Sequence, residues 1–370
     1  VTSYAKWHAG ERGGRLVGHY RYGKGGSSWQ LLAYALQYRE RTGAQEVHLV
    51  LPHASIDQTS ARVALLDPSL AIHLYRASDG GLASEPAWSR EDALAYYRRL
   101  GGIWQRPEFD ASHWPEWLLD LVDWVESRRV ERQSLGNYDA WHYRGRQVLK
   151  VDERTKVWRI TGGTASSAKD APQHVVLDRH KPDAAPTEGE LKKLRNTIDA
   201  SIEARRRGID RANRESLLQA TIGTTPGLLG LVRAGREWPA WRPQGRGKID
   251  FLGVDEQGGL AVVEVKVGPD AQFGIQALDY WAWVAAHRDE LADLLDADRE
   301  RSDVGLRLVL GDSPKGLLHP AASATLPRLA SDIEWNVQVV EQWNTLRHPG
   351  RLDEPVLTTN RARTLPTGET

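Results

Sequence analysis

The residues best suited to chemistry fall in one stretch, KIDFLGVDEQGGLAVVEVKV at positions 248–267. There Asp250, Glu264 and Lys266 interrupt two runs rich in Val, Leu, Ile and Phe. Between the runs, Asp255-Glu256-Gln257-Gly258-Gly259 has the residue types of a hairpin loop. Gln257 is the centre of that loop and also the midpoint of 250 and 264, so a hairpin sets Asp250 across from Glu264, Leu252 from Val262 and Val254 from Leu260. Opposed residues share a face, with Cα atoms about 4.5–5.5 Å apart. The strand period of two adds the Lys266 ammonium to that face. Two carboxylates ~4 Å apart repel by about 4 kcal/mol at an effective dielectric of about 20. A raised pKa, pairing with Lys266 or a divalent cation would each relieve that, and a carboxylate pair open to water and phosphate oxygens is the usual holder of Mg²⁺. A solvated cross-strand pair with a lysine partner has the same spacing.

These residues need elements to position them. A helix is expected over 271–287, where Gln276 and Tyr280, four apart, share a face. Upstream, a helix runs from 188 to about 207 on the stripe Leu191, Leu194, Ile198, Ile202, and a second covers 211–222. Strands are expected at 248–254, 260–267 and 306–310, with an earlier one unplaced between 228 and 241. The N-terminal part reads as an α/β unit. It has a strand at 15–22, a turn Gly23-Lys24-Gly25-Gly26, a helix to about 41, strands at 46–51 and 71–75, and a helix at 89–100. A helix carrying Trp114, Trp117, Leu118, Leu121 and Val125 follows, then a hairpin from 141–151 and 156–161. Stretches rich in Gly, Ser, Ala, Pro and Asp at 161–171 and 182–189 place a boundary near 185. The expected layout is an N-terminal α/β module (1–185), a C-terminal domain (186–346) and a polar, flexible tail (347–370).

The order Asp250, hairpin, Glu264-x-Lys266 resembles the PD-(D/E)XK nuclease superfamily, with its restriction-endonuclease-like fold. Gln276 and Tyr280 resemble the Q-x-x-x-Y element of its RecB-like and NucS-like members, and Glu215 its helical acidic residue. The resemblance spans roughly 190–310, and Ile249 stands where the family name has Pro. It implies a mixed α/β (α+β) chain with an αβββαβ core in the C-terminal half. It also implies Mg²⁺ or Mn²⁺ held by Asp250, Glu264 and the Val265 carbonyl, with Glu215 completing the set. Lys266 would orient or deprotonate a metal-bound water, or stabilise the transition state. Gln276 and Tyr280 would position substrate, and Arg242, Arg246, Lys248 and the triplet Arg205-Arg206-Arg207 would contact phosphates. The implied activity is a metal-dependent nuclease, an endonuclease of repair, restriction or defence, with DNA ahead of RNA. A catalytically idle nucleic-acid-binding or scaffold protein of the same fold and an RNA-directed nuclease are the alternatives. The sequence leaves oligomeric state open, a homodimer included.

Composition narrows the classes. The 370 residues carry 49 basic and 49 acidic side chains, which excludes a globally basic binder, although Arg233, Arg236, Arg242, Arg246 and Lys248 face only Glu237 between 231 and 248. With no cysteine, zinc knuckles, disulfides and thiol nucleophiles are out. No apolar run spans a membrane and the start lacks a signal-peptide pattern, so an intracellular, cytoplasmic setting with no membrane partner is expected. Residues 18–24 have P-loop spacing, but Gly25 replaces the Ser or Thr that would hold Mg²⁺, and the strand at 46–51 ends in Pro52-His53 without an acid. That argues against nucleotide hydrolysis and leaves the turn as a cradle for a phosphate of DNA. The tryptophan periodicity points to core. The histidines are scattered and show no pair at metal-ligand spacing, and no serine nucleophile elbow is present.

Overall fold

The computed structural model describes residues 5–9, 15–20, 28–78, 81–104, 110–134, 138–153, 157–163, 174–180, 185–206, 214–301, 303–311, 318–341, 343 and 362–364. The chain is α/β and forms two compact units. One comprises Val1–Trp104, Thr225–Glu341 and Asn360–Thr370, the other Gln105–Thr224 and Gln342–Thr359.

The chain opens with β1 (Ala5–Ala9), β2 (Arg15–Tyr20), α1 (Ser28–Thr42), β3 (Glu46–Pro52), α2 (His53–Val63), β4 (Ala71–Ser78), β5 (Gly81–Ser84) and α3 (Arg90–Leu100). The strands lie side by side in sequence order. β2, β3 and β4 are parallel because α1 and α2 make the return crossings, and β1 and β5 add antiparallel edges. Alternation along β3 buries Val47, Leu49 and Leu51 and leaves Glu46, His48 and Val50 on the less covered face. Ser89 begins α3 with a capping box closed by Asp92. The expected turn Gly23–Gly26 lies outside the described residues.

The second unit holds α4 (Glu116–Glu126), β6 (Glu131–Ser134), β7 (Tyr138–Tyr143), β8 (Arg146–Glu153), β9 (Val157–Gly162), β10 (Val175–His180), α5 (Glu188–Arg206) and α6 (Arg214–Thr224). Its five strands form an antiparallel meander. The stretch expected as one strand over 141–151 is two strands, because Arg144 and Gly145 both take positive φ (47° and 74°) and turn the chain. A Cβ on Gly145 would run into the Ser216 carbonyl. Trp114, Trp141 and Trp158 are buried with Leu118, Leu121, Leu194 and Ile198, so these tryptophans are core.

The chain then returns to the first unit with β11 (Leu231–Arg242), β12 (Gly245–Asp255), β13 (Leu260–Lys266), α7 (Phe273–Ala286), α8 (Arg288–Leu295), β14 (Val304–Gly311), α9 (Pro320–Thr325), β15 (Trp335–Val340) and β16 (Ala362–Thr364). They form one sheet in sequence order, antiparallel through β11-β12-β13, parallel through β13-β14-β15, and antiparallel again at β16. The unplaced early strand is β11, and part of the tail expected to be flexible is β16. Five of six residues preceding Lys266 in β13 are Val, Leu or Ala, and all six are buried, the pattern of a strand covered on both faces.

The boundary expected near 185 does not divide the units. Leu31, Leu36, Val47, Ile56 and Tyr97 share a core with Trp238, Ile249, Val262, Tyr280, Trp283 and Leu308. A buried ion pair crosses that core. Arg62 of α2 donates from Nε and Nη2 to the two oxygens of Asp279 on α7, both at 2.8 Å, and Tyr97 of α3 donates to the same carboxylate at 2.5 Å. Burial works against the charge on Arg62, but Asp279 outweighs it and holds the guanidinium protonated; burial and the nearby carboxylate push the Tyr97 phenol well up. Removing one partner leaves an uncompensated charge in the core. Arg62→Ala is expected to lower unfolding stability by about 3–5 kcal/mol in denaturant titration, and Arg62→Met with Asp279→Leu to recover most of it.

Candidate functional site

The hairpin of β12 and β13 has the register set by the sequence midpoint. Leu252 pairs with Val262 and Val254 with Leu260, and the ladder reaches Phe251 opposite Val263. The turn is locked by Asp255, whose Oδ1 accepts from the N–H groups of Gln257 and Gly259, both at 2.9 Å. One residue beyond the ladder, Asp250 Oδ2 accepts from the Val265 N–H at 2.7 Å, so its carboxylate reaches the strand that carries Glu264.

Glu264 is 1% exposed, an unusual setting for a carboxylate. Its Oε1 accepts from Gln276 Nε2 at 2.6 Å and from Lys266 Nζ at 3.2 Å. The same ammonium donates to the Val265 carbonyl at 3.1 Å. α7 delivers Gln276, and one turn on it delivers Tyr280, whose hydroxyl accepts from the Lys248 N–H at 3.0 Å. Burial first, and then the Glu264 charge, raise the Tyr280 phenol to about 12, so it is neutral at physiological pH. Gly247 permits this approach, since a Cβ there would lie 2.6 Å from the Tyr280 oxygen. Asp250, Glu264, Val265, Lys266, Gln276 and Tyr280 thus come together at one end of the hairpin.

The donor set fits a hard divalent cation: two carboxylates and one backbone carbonyl, all oxygen. Lys266 Nζ bridges two of those three groups, Glu264 Oε1 and the Val265 oxygen, so positive charge already stands against them. An ammonium and a metal ion would compete for the same lone pairs.

The remaining expected residues divide. Glu215 is half-buried at the start of α6 in the other unit. Arg242 lies over the Tyr280 ring at 5.1 Å, and exposed Arg246 over the Trp104 ring at 5.8 Å. Lys248 is exposed but paired with Glu237 at 2.6 Å. Arg205 is not available to phosphate: it is 2% exposed and donates from Nε and Nη2 to the Arg144 carbonyl in the β7–β8 turn. Its position three residues past Ile202 continues the apolar stripe of α5, a signal present in the sequence. Arg206 donates to Glu203, and Arg207 lies outside the described residues.

Sequence reasoning missed one cluster. Among the described residues, Glu46, His48 and His73 each offer a ligand atom within 4.8 Å of the others, a group able to chelate a divalent cation. Its signal is cross-strand: His48 pairs directly with His73, and Glu46 is two residues before His48.

No family model matches the chain, and no curated protein matches it. No helix among the described residues is long and apolar enough to cross a membrane.

Gln276 orients Glu264 without needing to touch a cation itself. Gln276→Leu is expected to weaken Mn²⁺ binding at this site by about 10–100-fold, measured by calorimetric titration, with the far-ultraviolet spectrum unchanged.

Proposed function

We propose that this protein is a metal-dependent nuclease that hydrolyses phosphodiester bonds of DNA, with Asp250, Glu264 and Lys266 at its centre. The observation carrying this reading is the convergence of a buried glutamate, an opposed aspartate and a lysine on one hairpin end, with Gln276 and Tyr280 supplied by the following helix. The run β11-β12-β13-α7-β14 supports it, since three strands, a helix and a further strand have the βββαβ order that the PD-(D/E)XK resemblance implies.

Mg²⁺ or Mn²⁺ held by Asp250, Glu264 and the Val265 carbonyl would supply a water of lowered pKa and charge neutralisation at the phosphate. The chain's own residues do the rest. Lys266, whose ammonium now lies on Glu264 and the Val265 carbonyl, would hold or take a proton from the attacking water, or meet the charge growing on phosphate oxygens. Gln276 would hold Glu264 in the orientation a cation needs, through its bond to Oε1. Tyr280 fixes the backbone of β12 at Lys248, and Arg242 and Arg246 flank it as contacts for the substrate backbone.

The test is cleavage of single-stranded, duplex and branched DNA and of RNA with Mg²⁺ or Mn²⁺. Lys266→Ala is expected to lose at least ~100-fold in rate while binding the cation as tightly as the parent or more so, because its competitor is gone. Asp250→Asn, which keeps an acceptor for the Val265 N–H, is expected to lose both cleavage and cation affinity. Activity that survives both substitutions contradicts the proposal, and cleavage confined to RNA overturns the assignment of substrate. Binding of DNA without any cleavage, with or without the cation, supports the idle reading instead.

A further inference from the structure

The less covered face of β3 and β4 carries a second arrangement, of different chemistry. Glu46 and His48 are two apart on β3 and share one face, opposite to Val47, Leu49 and Leu51, which are fully buried. In the parallel pairing of β3 with β4, His48 stands directly beside His73. Tyr75 is two residues further along β4 on the same face. The His48 ring lies between its neighbours, stacked on His73 at 4.8 Å between centroids and on Tyr75 at 5.6 Å. Its Nε2 is 3.1 Å from Glu46 Oε2, and its Nδ1 is 3.1 Å from the Tyr75 hydroxyl.

We infer that Glu46, His48 and His73 form a binding site for a transition-metal ion of the zinc class, separate from the Asp250–Glu264 centre, with one coordination position left open to solvent. Three features of the cluster carry this. Two imidazoles and one carboxylate are the ligand types that suit Zn²⁺, Co²⁺, Ni²⁺ or Cu²⁺, whereas an all-oxygen set suits Mg²⁺, Ca²⁺ or Mn²⁺. Two histidines and a glutamate leave a tetrahedral ion with a fourth place unfilled by protein. A ligating histidine engages its second ring nitrogen with an oxygen that fixes tautomer and orientation, and Tyr75 occupies that place at His48 Nδ1.

The spacing is compatible. Zinc–ligand bonds of about 2.0–2.2 Å put tetrahedral ligand atoms ~3.4 Å apart. Glu46 and His48 already stand at 3.1 Å. His73 is exposed, and a rotation of its side chain within the 4.8 Å cluster closes the set. An ion there clasps β3 to β4, adding to the His48–Tyr75 hydrogen bond and the ring stacking that already join the two strands on this face.

Titration of the metal-stripped full chain with Co²⁺, followed by visible absorption, tests this. One equivalent is expected to give the absorption of low-coordinate Co²⁺, to be displaced by Zn²⁺, and to persist in excess Mg²⁺. His73→Ala alters an exposed side chain, so its fold can be checked directly by circular dichroism. It is expected to weaken Co²⁺ binding by at least ~100-fold, and Tyr75→Phe by ~10-fold. Asp250→Asn is expected to leave the signal unchanged, which separates this site from the proposed nuclease centre. Absence of the cobalt signal, or a signal untouched by His73→Ala, overturns the proposal, as does one that Asp250→Asn removes.

Discussion

The buried ion pair between Arg62 and Asp279 is the constraint on which the rest depends. Both charges are out of water, so they persist only because the fork geometry is bidentate and Tyr97 adds a third donor. Such a contact tolerates little rotation or slide of the helix that bears it. That helix, α7, is the one that presents Gln276 to Glu264 and Tyr280 to β12. The orientation of the candidate site is therefore fixed partly by α2 and α3, more than 180 residues upstream. This gives the N-terminal residues of the first unit a physical role in the site, in place of the separate module that their position in the chain suggests.

Inside that frame the hairpin is a second constraint. A slip of one residue between β12 and β13 would turn Asp250 and Glu264 to opposite faces. Asp255 prevents it by binding two amide groups of the turn. The resulting cluster buries Glu264 beside the half-buried Asp250 and Lys266, and Lys266 compensates by bridging Glu264 and the Val265 carbonyl. The same bridge explains how the fold tolerates Glu264 at 1% exposure.

The sequence reveals what depends on local pattern. The hairpin register follows from one midpoint, α7 from its length and spacing, and the buried stripe Leu118, Leu121 and Val125 of α4 from helical periodicity, whereas Trp114 is buried just ahead of that helix and Trp117 within it only half. Features made by distant pairing are less legible. The common core of the first unit joins segments more than 100 residues apart in the chain, so a boundary placed on a loop rich in Gly and Pro misses it. The Glu46–His48–His73 cluster becomes visible only once β3 and β4 are known to be neighbours in parallel register. Arg205 is a different case. Its charge suggested a surface contact, while its place on the stripe of α5 already indicated burial against the β7–β8 turn.

The most direct test of the central claim is a crystal soaked in Mn²⁺ and measured for anomalous scattering. The account predicts a peak coordinated by Asp250, Glu264 and the carbonyl oxygen of Val265, with Lys266 displaced from both of its present partners. A structure in which Mn²⁺ avoids those oxygens and Lys266 still bridges Glu264 and Val265 would contradict it.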